Sequence, residues 1–566
     1  MEITGAELLA RSLIASGITH VFNVPGLGMF PLLDAIRKHR DQLSYFSGPN
    51  ETAVTLMADG YGRAAGRPAF VNVYHASGTA LAMMGVTTAW ADRSPMVFTS
   101  TTSSRMLERR DQYASVPGDI TDMARAYCKW SWEIPLVERI PDAIARAVIM
   151  ATTPPMGPVH LALPMDIYSD KGAQQCLTNA LAIGNKRLHQ FQSGGAAPEG
   201  VAQAARMLAT AERPLMIVGG EPAQCDAVQE TIDIAEMLGA AVFRESDVAY
   251  MSFPNNHRLF AGRFSQASEL TKKTDAILVL GAEFTGRDAS PPLPQSGPKI
   301  IALTSEALAL GKQIWPDIGL VGNAKSTLIA LRDELRGLGA KPRDVWTNEV
   351  ERHCAQCRSI FTSESRRGWD DSPVRIPRLV KEIDLAFGTE VLIVDHSTTA
   401  SPRFMELGDF SNPQRYFGIS ARASAQGWGV PAAIGVQIAR PDRRVVAIVG
   451  DGGFMFTSTC LYAAAQWKTR NVFIVLRNGG WHDVAYTFKQ SFGWSDEDTR
   501  AFGYADQPHI DYAGLARSLA VEGLCVNSVQ ELPGALARAR DCQGPVLIEV
   551  NCDPAEIEHY VAFMSR

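Results

Sequence analysis

The sequence lacks several features that would assign the protein to other classes. Its nine cysteines are too few among 566 residues for a disulfide-rich scaffold. No stretch of about 18 uninterrupted apolar residues occurs, so no membrane-spanning helix is predicted. Residues 1–7 carry no basic region followed by an apolar core, as a signal peptide would. We therefore expect a soluble, cytoplasmic protein.

Basic runs and zinc patterns are also missing. The net charge of −6, without a basic run, gives no electrostatic footprint for nucleic acid. Residues 353–357 hold one histidine and two cysteines, but no second ligand pair follows at the spacing of a zinc site. The hydrophobic fraction of 46% supports large buried cores. A multi-domain globular protein with small-molecule partners remains.

Short apolar runs alternate with helical segments along three stretches of the chain. A polar passage at 192–200 and a charged helical segment at 341–367 separate these stretches. Repeated alternation of strands and helices predicts doubly wound, mostly parallel sheets. The sequence therefore predicts an α/β protein with three such domains, over residues 1–170, 195–335 and 375–555.

The most informative motif follows two neighbouring apolar runs of the last domain. Gly450–Gly453, which includes Asp451, comes after the run 445–449, and Asn478–Gly480 comes after the run 472–476. Parallel strands place their carboxyl ends at one edge of a sheet, where α/β proteins bind ligands. A Gly-Asp-Gly turn alone is an ordinary loop signal. The two segments together predict a shared site.

The residue types in these segments suit a metal-bound diphosphate. Mg²⁺ prefers oxygen ligands and usually takes one or two protein groups together with phosphate oxygens. Asp451 offers a carboxylate, Asn478 an amide oxygen and Gly480 a backbone carbonyl. Glycines let the backbone approach phosphates because no Cβ stands in the way. The glycines available for this are Gly450, Gly452 and Gly453.

Together these segments resemble the cofactor signature of the thiamine diphosphate enzymes, the superfamily of pyruvate decarboxylase and acetolactate synthase. The resemblance covers essentially the whole chain, in the order pyrimidine-binding, central and diphosphate-binding domain. It implies thiamine diphosphate with Mg²⁺, or Ca²⁺ in its place, held by Asp451, Asn478 and Gly480, with Trp481 beside the cofactor. Arg477 departs from the pattern, because the first of two asparagines is usual there.

Glu51, near the other end of the chain, resembles the catalytic glutamate of the same superfamily. The resemblance implies that its protonated carboxyl group donates to the cofactor pyrimidine and promotes removal of the thiazolium proton. Such a group needs a desolvated site that raises its pKa. Taken alone, an acid at this position more often complements a helix dipole. The superfamily shares the cofactor between subunits, which implies a homodimer at minimum, with homotetramers common.

Within the superfamily, residues 129–133, 157–164 and 427–437 most resemble the benzoylformate decarboxylases. This resemblance implies decarboxylation of a 2-oxo acid, aromatic in that family, with capture of an aldehyde (carboligase activity) as a further outcome. Ser397 and Thr398 fall where that family places hydroxyls near the diphosphate, although they could instead cap a helix.

The proton-handling residues depart from that family. Its first histidine aligns with Tyr74, next to His75, and its second falls near Arg287. Leu27 replaces a serine that contacts the substrate carboxylate. We expect His75 and His482 to transfer protons, because a histidine pKa suits both directions near neutrality. Either histidine could instead be structural.

Two positions around the cofactor remain ambiguous. Gln426 occupies the place of the bulky apolar residue that bends the cofactor, and Ser424 would supply the carbonyl that accepts from the aminopyrimidine. Either the alignment slips by one residue or a polar amide reaches the thiazolium, and we favour the amide. Relatives among the acetolactate synthases bind FAD in the central domain, but no decisive motif predicts it here.

Three functions remain open at this point. The first is decarboxylation of a 2-oxo acid to an aldehyde. The second is a non-decarboxylating carbon–carbon lyase, carboligase or hydrolase that acts on acyloins, 2-hydroxyacyl-CoA or diketones, which the altered histidine pattern favours. The third is a non-catalytic assembly subunit, against which the joint presence of Glu51, Asp451 and Asn478 argues.

Overall fold

The computed structural model describes residues 3–105, 119–172, 176–178, 194–246, 248–284, 293, 296–313, 315–423, 425–504 and 508–564. Three six-stranded sheets form its framework, and every strand pair within them is parallel. Within the described ranges, none of the helices has the length and apolar character needed to cross a bilayer.

The strands are named in chain order. The N-terminal sheet contains β2 (His20–Asn23), β3 (Ser44–Ser47), β4 (Ala69–Tyr74), β5 (Met96–Thr102), β6 (Ser131–Glu133) and β7 (Pro158–Pro164). The central sheet contains β9 (Pro214–Val218), β10 (Ala241–Arg244), β11 (Phe260–Arg263), β12 (Ala276–Leu280), β13 (Lys299–Thr304) and β14 (Ile318–Val321). The C-terminal sheet contains β15 (Leu392–His396), β16 (Tyr416–Phe417), β17 (Val445–Gly450), β18 (Val472–Arg477), β19 (Glu522–Val526) and β20 (Val546–Asn551). A small antiparallel pair is formed by β1 (Ile3–Thr4) and β8 (Lys171–Gly172).

Helices alternate with these strands. In the N-terminal part the α-helices span Gly5–Ala15, Phe30–Lys38, Glu51–Ala65, His75–Ala91, Ile120–Arg125 and Ile140–Thr152. In the central part they span Pro198–Thr210, Glu221–Gln224, Val228–Leu238, Glu269–Lys273, Ala324–Gly337 and Asp344–Ser365. In the C-terminal part they span Ile376–Phe387, Ser401–Leu407, Gly429–Ala439, Asp451–Met455, Cys460–Gln466, His482–Phe492, Asp496–Ala501, Tyr512–Ser518, Leu532–Asp541 and Glu556–Met564. Short 3₁₀ turns cover Leu27–Met29, Val137–Arg139, Met165–Tyr168, Ala307–Ala309 and Pro413–Arg415.

The order of strands confirms the predicted three doubly wound sheets. The N-terminal sheet runs β3-β2-β4-β5-β7-β6 and the C-terminal sheet runs β16-β15-β17-β18-β20-β19. Numbered from each sheet's first strand, both are 2-1-3-4-6-5, whereas the central sheet is 3-2-1-4-5-6. In such sheets the crevice for ligands lies beyond the carboxyl ends of the strands where the winding direction changes.

Burial explains why these segments become parallel strands. Residues 445–449 of β17 and 472–475 of β18 are fully buried and rich in valine and isoleucine. Helices on both faces of a parallel sheet demand such continuous apolar runs, because neither face meets water. In each strand only the last residue, Gly450 or Arg477, is less buried, and it leads into the loops of the site.

The first and last domains meet through two glycine-containing helices. A Cβ at Gly60 would lie 2.1 Å from the Ala432 carbonyl oxygen, and one at Gly435 would lie 1.8 Å from the Met57 carbonyl oxygen. Helix Glu51–Ala65 therefore touches helix Gly429–Ala439 backbone to backbone. This close contact fixes the orientation of the helix that carries Glu51.

Candidate active site

The predicted metal-binding segments meet at the ends of two neighbouring strands. Asp451 opens its helix directly after β17, and Asn478 follows β18, which pairs with β17. Asp451 Oδ2 accepts from the backbone N–H groups of Asn478 and Gly479 at 3.0 and 2.9 Å. Asp451 Oδ1 accepts from Gly452 N at 2.8 Å. The structure thus brings the two segments into direct contact.

The surroundings of Asp451 suit a divalent cation. The residue is only 4% exposed, and burial raises the pKa of its carboxyl group, while the backbone N–H groups and His482 oppose that rise. A cation beside the carboxylate would favour its charged form. Asn478 contributes an amide oxygen, which accepts from Gly480 N at 3.3 Å. Gly479, with φ of 78°, makes the turn that folds this loop back.

The glycines after Asp451 form a closely packed cradle. A Cβ at Gly453 would lie 3.5 Å from Gln426 Oε1 and 3.6 Å from His396 Cε1. A Cβ at Gly452 would lie 2.8 Å from the Trp481 ring. Gln426 therefore lies at the same strand edge as Asp451. Ser424 lies outside the described residues.

Trp481 begins an aromatic wall next to the cradle. Its ring packs edge-on against Phe456 at 6.0 Å, and its backbone N–H donates to the Tyr504 carbonyl at 2.8 Å. Behind it, Phe488 stacks on Trp494 at 4.4 Å and on Tyr504 at 5.7 Å. The helix after this loop therefore packs into an aromatic cluster on one side.

His482 is tied to the metal loop itself. Its Nε2 donates to the Asn478 carbonyl at 3.0 Å, so this nitrogen carries the proton in the neutral ring. The Nδ1 atom is then the one left to accept a proton. The contact gives His482 a structural part in holding the loop, beside the proton-transfer role that the sequence predicts.

The two predicted phosphate donors differ in their surroundings. Ser397 donates both its backbone N–H and its hydroxyl to the buried Asp395 carboxylate, at 3.0 and 2.6 Å. Thr398 is exposed and has φ of 51°, an uncommon conformation for a non-glycine residue. Such strain is often held in place at functional sites. Of the two residues, Thr398 is the exposed one.

Glu51 opens its helix and lies against a second helix. The preceding residue, Asn50, caps the helix by accepting from Ala53 N at 2.8 Å. A Cβ at Gly78 would lie 3.0 Å from Glu51 Oε1. Gly78 belongs to the first turn of helix His75–Ala91, so the fold places Glu51 and His75 at the start of adjacent helices.

His75 is buried and strained. It follows β4 with φ of 61° and is 6% exposed, and its Nε2 lies 2.8 Å from Ser103 Oγ. Burial lowers the pKa of the His75 imidazole, so the ring is neutral at neutral pH. The preceding Tyr74 ring packs on Gly26, where a Cβ would lie 2.7 Å away. Arg287 lies outside the described residues.

Sequence reasoning missed three residues at this site: Ser103, Gly78 and His396. His396 ends β15 and its Nδ1 accepts from Gly429 N at 3.3 Å, while burial lowers its pKa to about 4. Ser103 directly follows β5. Ser103 and His396 could have been found from their positions, because each lies at the end of a strand next to a recognised motif.

Family models match all three parts of the chain. Residues 3–123 match the N-terminal thiamine pyrophosphate-binding domain of the thiamine pyrophosphate enzymes, 201–331 their central domain, and 398–550 their C-terminal thiamine pyrophosphate-binding domain. The fold and the paired metal segments described above agree with these matches.

Full-length relatives point the same way. The chain is 30% identical to benzoylformate decarboxylase of Pseudomonas aeruginosa, over 96% of this chain and 97% of that protein. It is 26% identical to a probable acetolactate synthase large subunit of Methanocaldococcus jannaschii, over 98% of this chain and 92% of that protein.

Among solved structures, the thiamine diphosphate-dependent 4-hydroxybenzoylformate decarboxylase of Rhodococcus jostii aligns with a TM-score of 0.83 at 26% identity. The alignment covers 98% of this chain and all (100%) of that one. The benzoylformate decarboxylase of Polynucleobacter necessarius, at 23% identity and a TM-score of 0.83, supports the fold. The chain therefore belongs to the thiamine pyrophosphate enzyme family, among its decarboxylases and acetolactate synthases.

Proposed function

We propose that the protein is a thiamine diphosphate- and Mg²⁺-dependent decarboxylase of a 2-oxo acid with an aromatic acyl group. The observation that carries this proposal is the contact of the Asp451 carboxylate with the backbone of the Asn478–Gly479 loop. The 30% identity to a benzoylformate decarboxylase and the aromatic wall behind Trp481 support the choice of substrate.

The residues present fit a metal-bound diphosphate. Asp451, Asn478 and the Gly480 carbonyl would hold Mg²⁺, or Ca²⁺, as oxygen ligands. Gly452 and Gly453 leave no Cβ between an anion and the backbone at the start of this helix, where an anion is favoured. We assign the hydroxyl of the exposed Thr398 to the diphosphate. Ser397 is the weaker donor, because its hydroxyl already donates to the Asp395 carboxylate.

When bound, thiamine diphosphate supplies an electron sink for the bond that breaks as carbon dioxide leaves. Glu51 would donate its carboxyl proton to the pyrimidine ring, and Gly78 keeps the space into which that carboxyl group fits. A neutral His75 can accept a proton at one ring nitrogen while the other bonds to Ser103. We propose that this pair accepts the proton that is released as the aldehyde carbonyl of the product forms.

Gln426 and His482 complete the proposed site. The Gln426 amide lies beside Gly453, close enough to orient a polar group of the cofactor or substrate. His482 holds the metal loop through the Asn478 carbonyl and can accept a proton at Nδ1. Tyr74 packs on Gly26 and shapes the side of the site next to His75.

The proposed active unit is a homodimer at minimum, and we favour a homotetramer in the cytoplasm. Apolar side chains near both halves of the site are exposed in the single chain, including Leu81 at 53%, Phe456 at 57% and Tyr462 at 51%. Leu81 lies on the helix that begins with His75, and Phe456 follows the helix that begins with Asp451. A second copy covering both would bring Glu51 to the cofactor.

We do not propose FAD as a cofactor. At the point where the central sheet changes winding direction, a Cβ at Gly281 would lie 2.2 Å from Glu221 Cβ. The Glu221 side chain fills this crevice, accepting from Ser305 N at 2.7 Å and Thr304 Oγ1 at 3.2 Å. Arg93 pairs with this carboxylate at 3.4 Å, which fixes the side chain in the crevice where a dinucleotide pyrophosphate would lie. A purified protein with the yellow colour of bound flavin would contradict this.

A carbon–carbon lyase or hydrolase is the second candidate, and one observation favours it. The strained His75, hydrogen-bonded to Ser103, departs from the decarboxylase pattern of the family that the sequence resembles. Such a site would act on acyloins, 2-hydroxyacyl thioesters or diketones. The remote alternative, a non-catalytic assembly subunit, requires that the protein fail to bind the cofactor.

The test is incubation with thiamine diphosphate, Mg²⁺ and a panel of 2-oxo acids that includes benzoylformate, with carbon dioxide and aldehyde as the measured products. Glu51→Ala should abolish product formation, and the exposed Glu138→Ala serves as the matched control. Cofactor binding without carbon dioxide release would favour the lyase or hydrolase. Absence of cofactor binding would favour the assembly subunit.

A further inference from the structure

Arg477 stands directly before the metal loop and forms a buried ion pair. Its Nε lies 2.7 Å from Oε1 of Glu549, and the Glu549 side chain is only 2% exposed. The strands β18 and β20 pair with Arg477 opposite Asn551 and Val475 opposite Glu549. The last residue of the strand that leads into the loop is thereby held by the neighbouring strand.

The second oxygen of Glu549 continues this connection. Oε2 accepts from Ala513 N at 3.1 Å, in the first turn of helix Tyr512–Ser518. Tyr512 packs edge-on against Phe454 with ring centroids 5.5 Å apart. Phe454 belongs to the short helix that Asp451 opens. Glu549 is therefore linked to both ligand segments, through Arg477 to Asn478 and through Tyr512 to Asp451.

We propose that the Arg477–Glu549 pair is a positioning device that sets the separation of the Asp451 and Asn478 segments and hence the affinity for Mg²⁺. This inference rests on the proposed function. Neither side chain needs to touch the cation, because each acts through the backbone of a ligand segment. Partners that orient metal ligands in this way typically change metal affinity 10- to 100-fold when they are removed.

The charges of the pair matter as well as its geometry. An arginine one residue from Asn478 opposes a cation unless a carboxylate compensates it, and Glu549 supplies that compensation. Glu549→Gln keeps an acceptor for Ala513 N but leaves the Arg477 charge uncompensated. Arg477→Gln instead leaves a buried carboxylate unpaired, which is strongly destabilising. The glutamate variant is therefore the more informative single change.

The experiment titrates Mg²⁺ into the full-length protein at saturating thiamine diphosphate and follows tryptophan fluorescence, since Trp481 packs on Gly452. We expect Glu549→Gln to bind Mg²⁺ 10- to 100-fold more weakly, with a turnover close to that of the wild type once Mg²⁺ saturates. The double variant Arg477→Gln/Glu549→Gln, which leaves no unpaired charge, should melt close to the wild type and still bind Mg²⁺ more weakly.

The control is Arg378→Gln, which breaks the 2.8 Å pair of Arg378 with Glu382 inside another helix of the same domain. It should lower the melting temperature without changing the Mg²⁺ affinity. The proposal is overturned if Glu549→Gln and the double variant bind Mg²⁺ within threefold of the wild type. If the wild type shows no Mg²⁺-dependent binding, the proposed function fails first, and this outcome is distinct from unchanged variants.

Discussion

The N-terminal and C-terminal sheets share one strand order but place different chemistry at equivalent strand ends. The residue after the third strand is His75 in the N-terminal sheet and Asp451 in the C-terminal sheet, and each residue opens a helix. The residue after the fourth strand is Ser103 in the N-terminal sheet and Asn478 in the C-terminal sheet. The Ser103 hydroxyl hydrogen-bonds to His75 at 2.8 Å, and the Asn478 backbone N–H donates to Asp451 at 3.0 Å. Under our proposal, one scaffold thus serves proton transfer in the N-terminal sheet and cation binding in the C-terminal sheet.

The two sites differ in how their backbone is accommodated. Asp451 is flanked by glycines, so the chain turns there without strain and approaches a ligand closely. His75 has φ of 61° although it is not a glycine. Strain of this kind costs of order 1–3 kcal/mol and persists only where the surrounding structure imposes it. The central sheet, with another strand order, places the Glu221 side chain in its crevice.

The largest effect is expected when the N-terminal site is broken. His75→Gln removes the proton-transfer group and should lower kcat by about 10²- to 10⁴-fold, which is the usual contribution of such a group. Thiamine diphosphate binding should stay unchanged, because His75 is not among the residues that we propose to hold the cofactor. Steady-state kinetics measure kcat and a cofactor titration measures the binding affinity, with the exposed His559→Gln as control. Loss of cofactor binding in His75→Gln would contradict the division.

The pH profile of the wild type tests the same residue. Because burial lowers the pKa of His75, its neutral form persists as the pH falls below the ordinary value of about 6.5. The acidic limb of kcat should therefore lie below pH 6.5 and should vanish in His75→Gln. An acidic limb that is identical in both proteins would assign it to another group.

The C-terminal site should respond to Gly452→Ala through cofactor affinity. The added Cβ would lie 2.8 Å from the Trp481 ring and must displace it. Overpacking typically costs about 1–3 kcal/mol, which corresponds to about 5- to 150-fold in binding. Gly534→Ala, with open space around the new methyl group, is the matched control. A changed kcat with unchanged cofactor affinity would argue against our assignment.

A smaller effect is expected from Gly78→Ala. Its Cβ would lie 3.0 Å from Glu51 Oε1, at the limit of a tolerable contact, so the glutamate must shift. We expect kcat to fall about 10-fold, since displacements of about 1 Å can cost up to 10²-fold. The melting temperature should change little, and Gly534→Ala is again the comparison. An unchanged kcat would show that Glu51 acts from another position.

Stability, rather than activity, should respond to His160 in the N-terminal sheet. Both ring nitrogens of the buried His160 bond to serine hydroxyls, and burial lowers its pKa to about 3. The unfolded chain takes up this proton below pH 6.5, but the folded chain does not. Stability is therefore complete above pH 6.5 and falls as the pH drops from 6.5 toward 3, by about 1 kcal/mol per pH unit. Urea unfolding of His160→Gln should show a correspondingly flatter pH dependence.

The three sheets and the meeting of Asp451 with Asn478 could be predicted because local patterns carry them. Apolar runs predict buried parallel strands, and glycine-flanked polar residues at their ends predict a shared edge. The engagement of Ser397 by Asp395 and the pair of Arg477 with Glu549 could not be predicted. The Arg477–Glu549 pair depends on packing between segments that are distant in sequence. The Ser397 contact depends on the turn of its own loop.

The measurement that tests the account most directly is calorimetric titration of thiamine diphosphate into the protein with and without Mg²⁺, for the wild type and Asp451→Asn. We predict one cofactor bound per chain, only when Mg²⁺ is present, and at least 100-fold weaker binding in Asp451→Asn. The exposed Asp442→Asn should bind as the wild type does. Binding that ignores Mg²⁺, or that Asp451→Asn leaves unchanged, would contradict the site.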